Sequence, residues 1–245
     1  MRFLDLFAGI GGFSLGLSRA GLIPAGQVEI DIFCRRILDE HWPKVPKWGD
    51  IKTINPEELP AVDLVCGGYP CQPFSNIGYR EGKKDDRHLW PYAFEIVKAL
   101  RPAWCLFENV AGHVSLGLDT VLADLVGADY SARALMVPAC AVGAPHRRDR
   151  VWILAHTAGP FGRRHGHQNE PEQDRQKARP ASVCSAHAGW SAGRDYPPAS
   201  RICRVSDGLP KVVDRDKALG NAVVPQVVEV FGRAILAAHH QTYYQ

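Results

Sequence analysis

The chain has 245 residues, enough for one large domain or one domain with a small appendage. A hydrophobic fraction of 46% and a charged fraction of 22% are those of an ordinary globular protein, and a net charge of +3 names no partner by itself. Seven cysteines, an odd number without Cys-x-x-Cys pairing, argue against a disulfide framework or a zinc site and for a reducing compartment.

No apolar run approaches the roughly 18–20 residues that span a bilayer. The first residues, Arg2 to Leu6, read as a strand and not as a charged-then-apolar leader. That strand runs into the glycine cluster Gly9-Ile10-Gly11-Gly12, and Phe13, Leu15, Leu17 and Ala20 then predict a helix closing at Gly21. Strand, glycine loop and helix form a nucleotide-cofactor device, in which bare backbone approaches the ligand and a helix N-terminus faces it. The spacing is not the Gly-x-Gly-x-x-Gly of dinucleotide sites. About twenty residues on, Glu29 ends a second apolar segment. It is either a carboxylate placed for ribose hydroxyls or an exposed loop residue. Asp50 is a second candidate, for an adenine amino group.

The apolar run Val62 to Cys66 predicts a buried strand, and it feeds Gly67-Gly68-Tyr69-Pro70-Cys71-Gln72-Pro73-Phe74-Ser75. Cys71, held between prolines past a strand's C-terminal end, sits where open α/β sheets place their ligands. It reads as a thiolate nucleophile or as a small buried residue in a tight turn. Tyr79 to His88 lacks periodicity and reads as a long loop, and such loops are usually functional. Leu89 to Leu100 predicts a helix with Pro91 in its first turn. Ala103 to Phe107 predicts another buried strand, which delivers Glu108-Asn109-Val110 to the edge expected to carry Cys71. A helix near Leu118 to Val126 follows, then strands near Ala132 to Val137 and Val151 to Ala155. If the second of these begins early, Arg148 and Arg150 share a face.

From about His156 to Ser200 apolar periodicity disappears. Between Phe161 and Arg204 stand eight Lys/Arg against four Asp/Glu, so the segment is a solvated linker or faces nucleic acid. Regular structure returns after the turn Leu219 to Pro225, with an amphipathic helix over Val227 to His239.

Five segments, in order, resemble the DNA (cytosine-5) methyltransferases. They are Asp5-Leu-Phe-Ala-Gly-Ile-Gly-Gly12, Pro70-Cys-Gln-Pro-Phe-Ser75, Glu108-Asn-Val110, Arg148-Asp-Arg150 and Gly220-Asn-Ala-Val-Val-Pro225. The resemblance implies an α/β fold: a Rossmann-like S-adenosylmethionine-dependent methyltransferase sheet with a small, irregular target-recognition region. Residues 1–155 plus 206–245 would form the catalytic and cofactor-binding domain, and 156–205 the recognition region. Cys71 becomes the nucleophile that adds to cytosine C6. Glu108 becomes the acid at N3, and its carboxyl should be raised in pKa by burial. Arg150 matches the residue on the cytosine O2, and Arg148 one that orders the site.

The methyl donor implied is S-adenosylmethionine, with no metal. Its contacts would be Phe7, Gly9, Ile10, Gly11, Gly12, Glu29, Ile30, Asp50, Ile51, Gly68, Pro70, Asn221 and Ala222. Ile30 stands where the family often has an aromatic that packs on the adenine, and His146 where it usually has Gln. The implied partner is double-stranded DNA. The target base would be flipped out of the duplex, and the contacts would be Gln72, Ser75, Lys83, Lys84, Arg87, Arg163 and Arg164. A cognate restriction endonuclease acting on the same site, a monomeric state and the cytoplasm of a bacterial or phage-infected host cell complete the expectation, with no membrane partner. RNA is the rival substrate, but the tRNA branch carries Cys-Phe-Thr in the recognition slot, where only Ser182-Val-Cys-Ser185 comes near.

Overall fold

A computed structural model describes residues 1–70, 89–115, 117–144, 147–157 and 222–243. These build seven strands: β1 (Arg2–Leu6), β2 (Ile23–Val28), β3 (Lys47–Trp48), β4 (Leu64–Gly67), β5 (Trp104–Val110), β6 (Tyr130–Pro138) and β7 (Asp149–Thr157). Five helices accompany them: α1 (Gly12–Ala20), α2 (Ile32–His41), α3 (Trp90–Leu100), α4 (Leu118–Gly127) and α5 (Pro225–Tyr243). The sheet order is β3-β2-β1-β4-β5-β7-β6. The first five strands in that order pair in parallel, while β7 lies antiparallel between β5 and β6. The result is a mixed, Rossmann-like α/β sheet.

Side-chain alternation along the central strands explains the two layers. Leu4, Leu6, Val65, Cys105 and Phe107 point into one core, which is filled by Trp90, Ile96 and Val97 of α3 and by Val121 and Leu125 of α4. Their neighbours Phe3, Leu64, Cys66, Trp104 and Leu106 point the other way. There they meet Phe13 and Leu17 of α1 and Val228 and Ile235 of α5. Strands buried on both faces read as continuous apolar runs, which is why β1, β4 and β5 stand out in the sequence.

Several boundaries differ from expectation. β5 runs on through Glu108 and Asn109 to Val110, because β7 begins at Asp149 and pairs with it as far as Val110 opposite Arg150. Helix α2 was not anticipated: its buried face is only Cys34 and Leu38. Its start is nevertheless well capped, since Asp31 Oδ1 accepts from the amides of Phe33 (2.8 Å) and Cys34 (3.1 Å). Helix α5 begins at Pro225 and runs on past His239 to Tyr243. The expected loop over Tyr79 to His88 and the irregular segment near 156–205 lie almost wholly outside the described residues.

Candidate active site

The glycine loop is shaped by left-handed backbone that glycine adopts without strain. Phe7 turns the chain out of β1 in the left-handed region (φ 58°), and Gly9 and Gly11 follow at φ 54° and 89°. Gly12 opens α1 with no room for a side chain, since a Cβ there would lie 2.6 Å from Val223 Cγ1 and 2.9 Å from the Val223 carbonyl oxygen. Glu29 ties the loop to the end of β2. Its Oε2 accepts from the Gly9 amide at 2.7 Å and its Oε1 from the Asp31 amide at 2.8 Å. Glu29 is thus a built part of the site, not a free loop carboxylate. Asp50 caps the short 3-10 turn Ile51–Thr53 through the Lys52 amide, at 3.0 Å.

Beneath the loop lies a fully buried polar cluster that the sequence did not single out. Asp5 Oδ2 accepts from both the amide (3.0 Å) and the hydroxyl (2.7 Å) of Ser14, and Gln27 Nε2 donates to the same hydroxyl at 2.9 Å. Asp5 therefore caps α1 from a neighbouring strand, where Gly11 offers no side chain of its own. Burial drives the Asp5 carboxyl up to about 7 from its ordinary 3.8, against the hydrogen bonds from Ser14.

The acid expected on β5 has company. Arg150 Nε lies 2.9 Å from Glu108 Oε1. Glu108 stands opposite Trp152 in the ladder, so Arg150 is its diagonal neighbour on the same face. Burial raises the Glu108 pKa and outweighs the opposing pull of the Arg150 and Arg148 guanidiniums. Arg148 precedes the strand with left-handed backbone (φ 38°), so strand alternation does not place it. Its NH2 group donates to the Ala222 carbonyl at 2.8 Å, and burial lowers its pKa.

A cavity of about 660 Å³ joins these parts, within the size range of small-molecule sites. Phe7, Gly9, Gly12, Glu29, Ile30, Asp50 and Ile51 line one part. Gly68, Pro70, Glu108, Arg150 and Ala222 line the rest. Ile10 and Gly11 line a neighbouring cavity of about 590 Å³ instead, with Trp42 and Arg148. The backbone turn at Gly11 faces them toward α2, where a Cβ on Gly11 would run into the Trp42 ring. Cys71, Gln72, Ser75, Lys83, Lys84, Arg87, His146, Arg163, Arg164 and Asn221 lie outside the described residues. Among the described residues no group of three or more His, Cys, Asp or Glu could hold a metal ion. No helix among them is long and apolar enough to cross a membrane.

Sequence reasoning also passed over the supports of the strand end before Cys71. Tyr69 is buried, its hydroxyl 2.7 Å from His113 Nε2, and its carbonyl accepts from Asn109 Nδ2 at 3.2 Å. The signal was weak, because the two hydrogen-bonded side chains are 44 positions apart.

A glycine loop after β1, a carboxylate after β2 and an acid on β5 share one cavity of a Rossmann-like fold, an arrangement suited to a nucleotide-like cofactor. Residues 1–187 match the family model of the C-5 cytosine-specific DNA methylases, and the chain belongs to that family. It is 38% identical over 161 residues to the type II methyltransferase M.HgiCII of Herpetosiphon aurantiacus, covering 62% of this chain and 36% of the relative. It is 33% identical over 159 residues to M.HhaI of Haemophilus parahaemolyticus, covering 63% of this chain and 48% of the relative. The chain thus spans between about a third and a half of the length of these curated relatives. A solved structure of a mutant of Spodoptera frugiperda DNMT2 shares the fold, with a TM-score of 0.56 and 22% identity over 71% of this chain and 56% of that one.

Proposed function

We propose that the chain is a DNA (cytosine-5) methyltransferase, transferring a methyl group from S-adenosylmethionine to C5 of a cytosine flipped out of duplex DNA. The observation that carries this reading is the single cavity in which Glu29 and Asp50 share walls with Pro70, Glu108 and Arg150. The cofactor part fits its ligand: Gly9 leaves bare backbone at the cavity wall, and Glu29 and Asp50 offer carboxylates to a ribose and an adenine. When bound, S-adenosylmethionine supplies an electrophilic methyl group on a sulfonium.

The chain's own residues supply the rest. Cytosine C5 is a poor nucleophile until a thiolate adds to C6, which splits one hard step into two easier ones. Cys71 Sγ forms the bond to C6, and Glu108 gives a proton to N3 as negative charge develops on the ring. C5 then takes the methyl group. A base removes the C5 proton, the Sγ–C6 bond breaks and the N3 proton returns. Glu108 suits this role because burial already raises its pKa. Arg150 now occupies one of its oxygens. A base that draws Arg150 toward its O2 atom weakens that ion pair and favours the protonated carboxyl further.

Duplex DNA is the partner, with residues 75–88 meeting the flipped base and the basic segment 156–205 serving as the recognition region, while 1–155 plus 206–245 carry catalysis and cofactor binding. We place the chain as a monomer in the cytoplasm of a bacterial or phage-infected cell, in restriction–modification or phage protection, alongside a restriction endonuclease of the same specificity. The test is transfer of labelled methyl groups to duplex DNA, repeated with Cys71→Ser and with a tRNA pool. Transfer to DNA that survives Cys71→Ser would overturn the mechanism, and labelling of tRNA alone would overturn the substrate. DNA carrying 5-fluorocytosine at the target should trap a covalent adduct, because fluorine does not leave as a proton.

A further inference from the structure

Tyr69 lies two residues before Cys71 and is clamped at three points. Its ring packs against Trp90 (centroids 5.2 Å apart) and Phe107 (6.1 Å). Its carbonyl accepts from Asn109, and its hydroxyl pairs with His113 in the 3-10 turn Ala111–Ser115. Asn109 is itself fixed, since its Oδ1 accepts from the Val110 amide at 2.8 Å. Every polar hold on Tyr69 just described therefore comes from β5 or the turn that follows it, and β5 is the strand that carries Glu108.

Stability alone is a poor reason for this pair. A phenyl ring at 69 and an apolar side chain at 113 would fill similar space without desolvating a hydroxyl and an imidazole. Replacing both partners of a buried hydrogen bond by apolar groups is close to neutral. What the pair adds is direction, because it locks the rotation of Tyr69 at the point where the chain leaves β4 for Pro70. We propose that Tyr69 and His113 are positioning residues that hold the end of β4, up to Pro70, in register with Glu108, and so fix the point from which the chain goes on to Cys71. The proposal rests on the methyltransferase reading above.

The test uses the whole chain, duplex DNA and S-adenosylmethionine. Tyr69→Phe keeps the ring and removes only the hydroxyl. It should lower kcat roughly ten- to a hundredfold, as small misplacements of reacting groups do. Direct titration with S-adenosylmethionine should give wild-type affinity, while Tm should fall modestly because the buried imidazole loses its partner. Trapping by 5-fluorocytosine DNA should slow by the same factor as kcat. His113→Leu should match Tyr69→Phe, the double variant should be no slower than the slower single, and His113→Gln, which keeps a hydrogen-bonding group, should recover part of the loss. An active wild type whose Tyr69→Phe variant turns over equally fast overturns the positioning role alone, as do losses that multiply in the double variant. A folded, cofactor-binding wild type that methylates no DNA overturns the underlying reading as well.

Discussion

The buried Asp5 cluster makes a quantitative prediction about pH. Asp5 and Gln27 stand opposite one another in the β1–β2 ladder, and the Ser14 hydroxyl links them, accepting from Gln27 Nε2 and donating to Asp5 Oδ2. Each also has an oxygen, Asp5 Oδ1 and Gln27 Oε1, that is buried with no hydrogen-bond partner. Two bare acceptors on paired residues are costly, and a proton on the carboxyl relieves one of them. The nearby Glu29 charge adds to the burial that favours the neutral acid, and the Cys66 thiol is held well above its ordinary pKa by burial and then by Asp5. With a folded pKa of about 7 against 3.8 unfolded, the contribution to stability is complete below 3.8 and lost as pH rises to about 7. At about 1.4 kcal/mol per pH unit the full loss is about 4 kcal/mol, and about 3 kcal/mol of it falls between pH 5 and pH 8. Asp5→Asn keeps an oxygen for Ser14, points an amide where the proton would sit, and does not titrate. Urea denaturation of both proteins at pH 5 and pH 8 should show the variant gaining about 3 kcal/mol on the wild type over that interval. A difference between the two proteins that stays constant or reverses with pH would refute a neutral Asp5.

Three further substitutions test the cavity. Ile30 is 64% exposed at the cavity wall, and Ile30→Trp should tighten S-adenosylmethionine roughly two- to tenfold by calorimetry, the worth of one aromatic stack; unchanged affinity would move the adenine elsewhere. Gly12→Ala forces a methyl group against Val223 and should cost about 1–3 kcal/mol in thermal unfolding while weakening cofactor binding; an unaffected variant would mean that the loop has slack. Glu108→Gln keeps the shape of the acid without its proton and should lower turnover roughly 10²- to 10⁴-fold with cofactor affinity retained; activity within a few-fold of wild type would remove Glu108 as the acid.

The legible parts of the chain were those where local chemistry and tertiary role coincide. β4 and the stretch Trp104–Phe107 of β5 are buried on both faces and apolar without interruption, β1 is broken only by Asp5 after Arg2, and glycines mark where α1 begins and ends. α2 escaped notice because only Cys34 and Leu38 are buried along it. The β5 boundary was missed for another reason. The polar pair Glu108-Asn109 reads as loop, yet the ladder continues through it because a strand some forty residues later inserts beside it. Asp5, Ser14 and Gln27 each look like an isolated polar residue in its own segment, and only the β1–β2 register brings them to one hydroxyl. The same holds for Tyr69 and His113. Ile10 and Gly11 belong to the glycine motif by sequence but turn toward Trp42, because the positive φ at Gly11 redirects the chain there.

That β5 boundary bears on how the acid is held. Had Glu108 stood on a loop, its distance from Arg150 would depend on the loop's conformation. Within the ladder it depends on register, and a one-residue slip of either strand would put the two side chains on opposite faces. Such a slip is opposed by the core: Phe107 and Ile153 lie in one layer and Leu106 and Trp152 in the other, all fully or nearly fully buried. The chain therefore fixes Glu108 and Arg150 with the same packing that stabilises the sheet, and Asn109 extends the same reference frame across to the Tyr69 carbonyl. Arg148 is different in kind. It lies outside the ladder in left-handed backbone and hydrogen-bonds to Ala222, at the point where the chain returns to the site ahead of α5. It is accordingly the arginine tied to the returning chain at Ala222, whereas the backbone of Arg150 is set by the β5–β7 register and only its side chain has to move when it turns from Glu108 to a base.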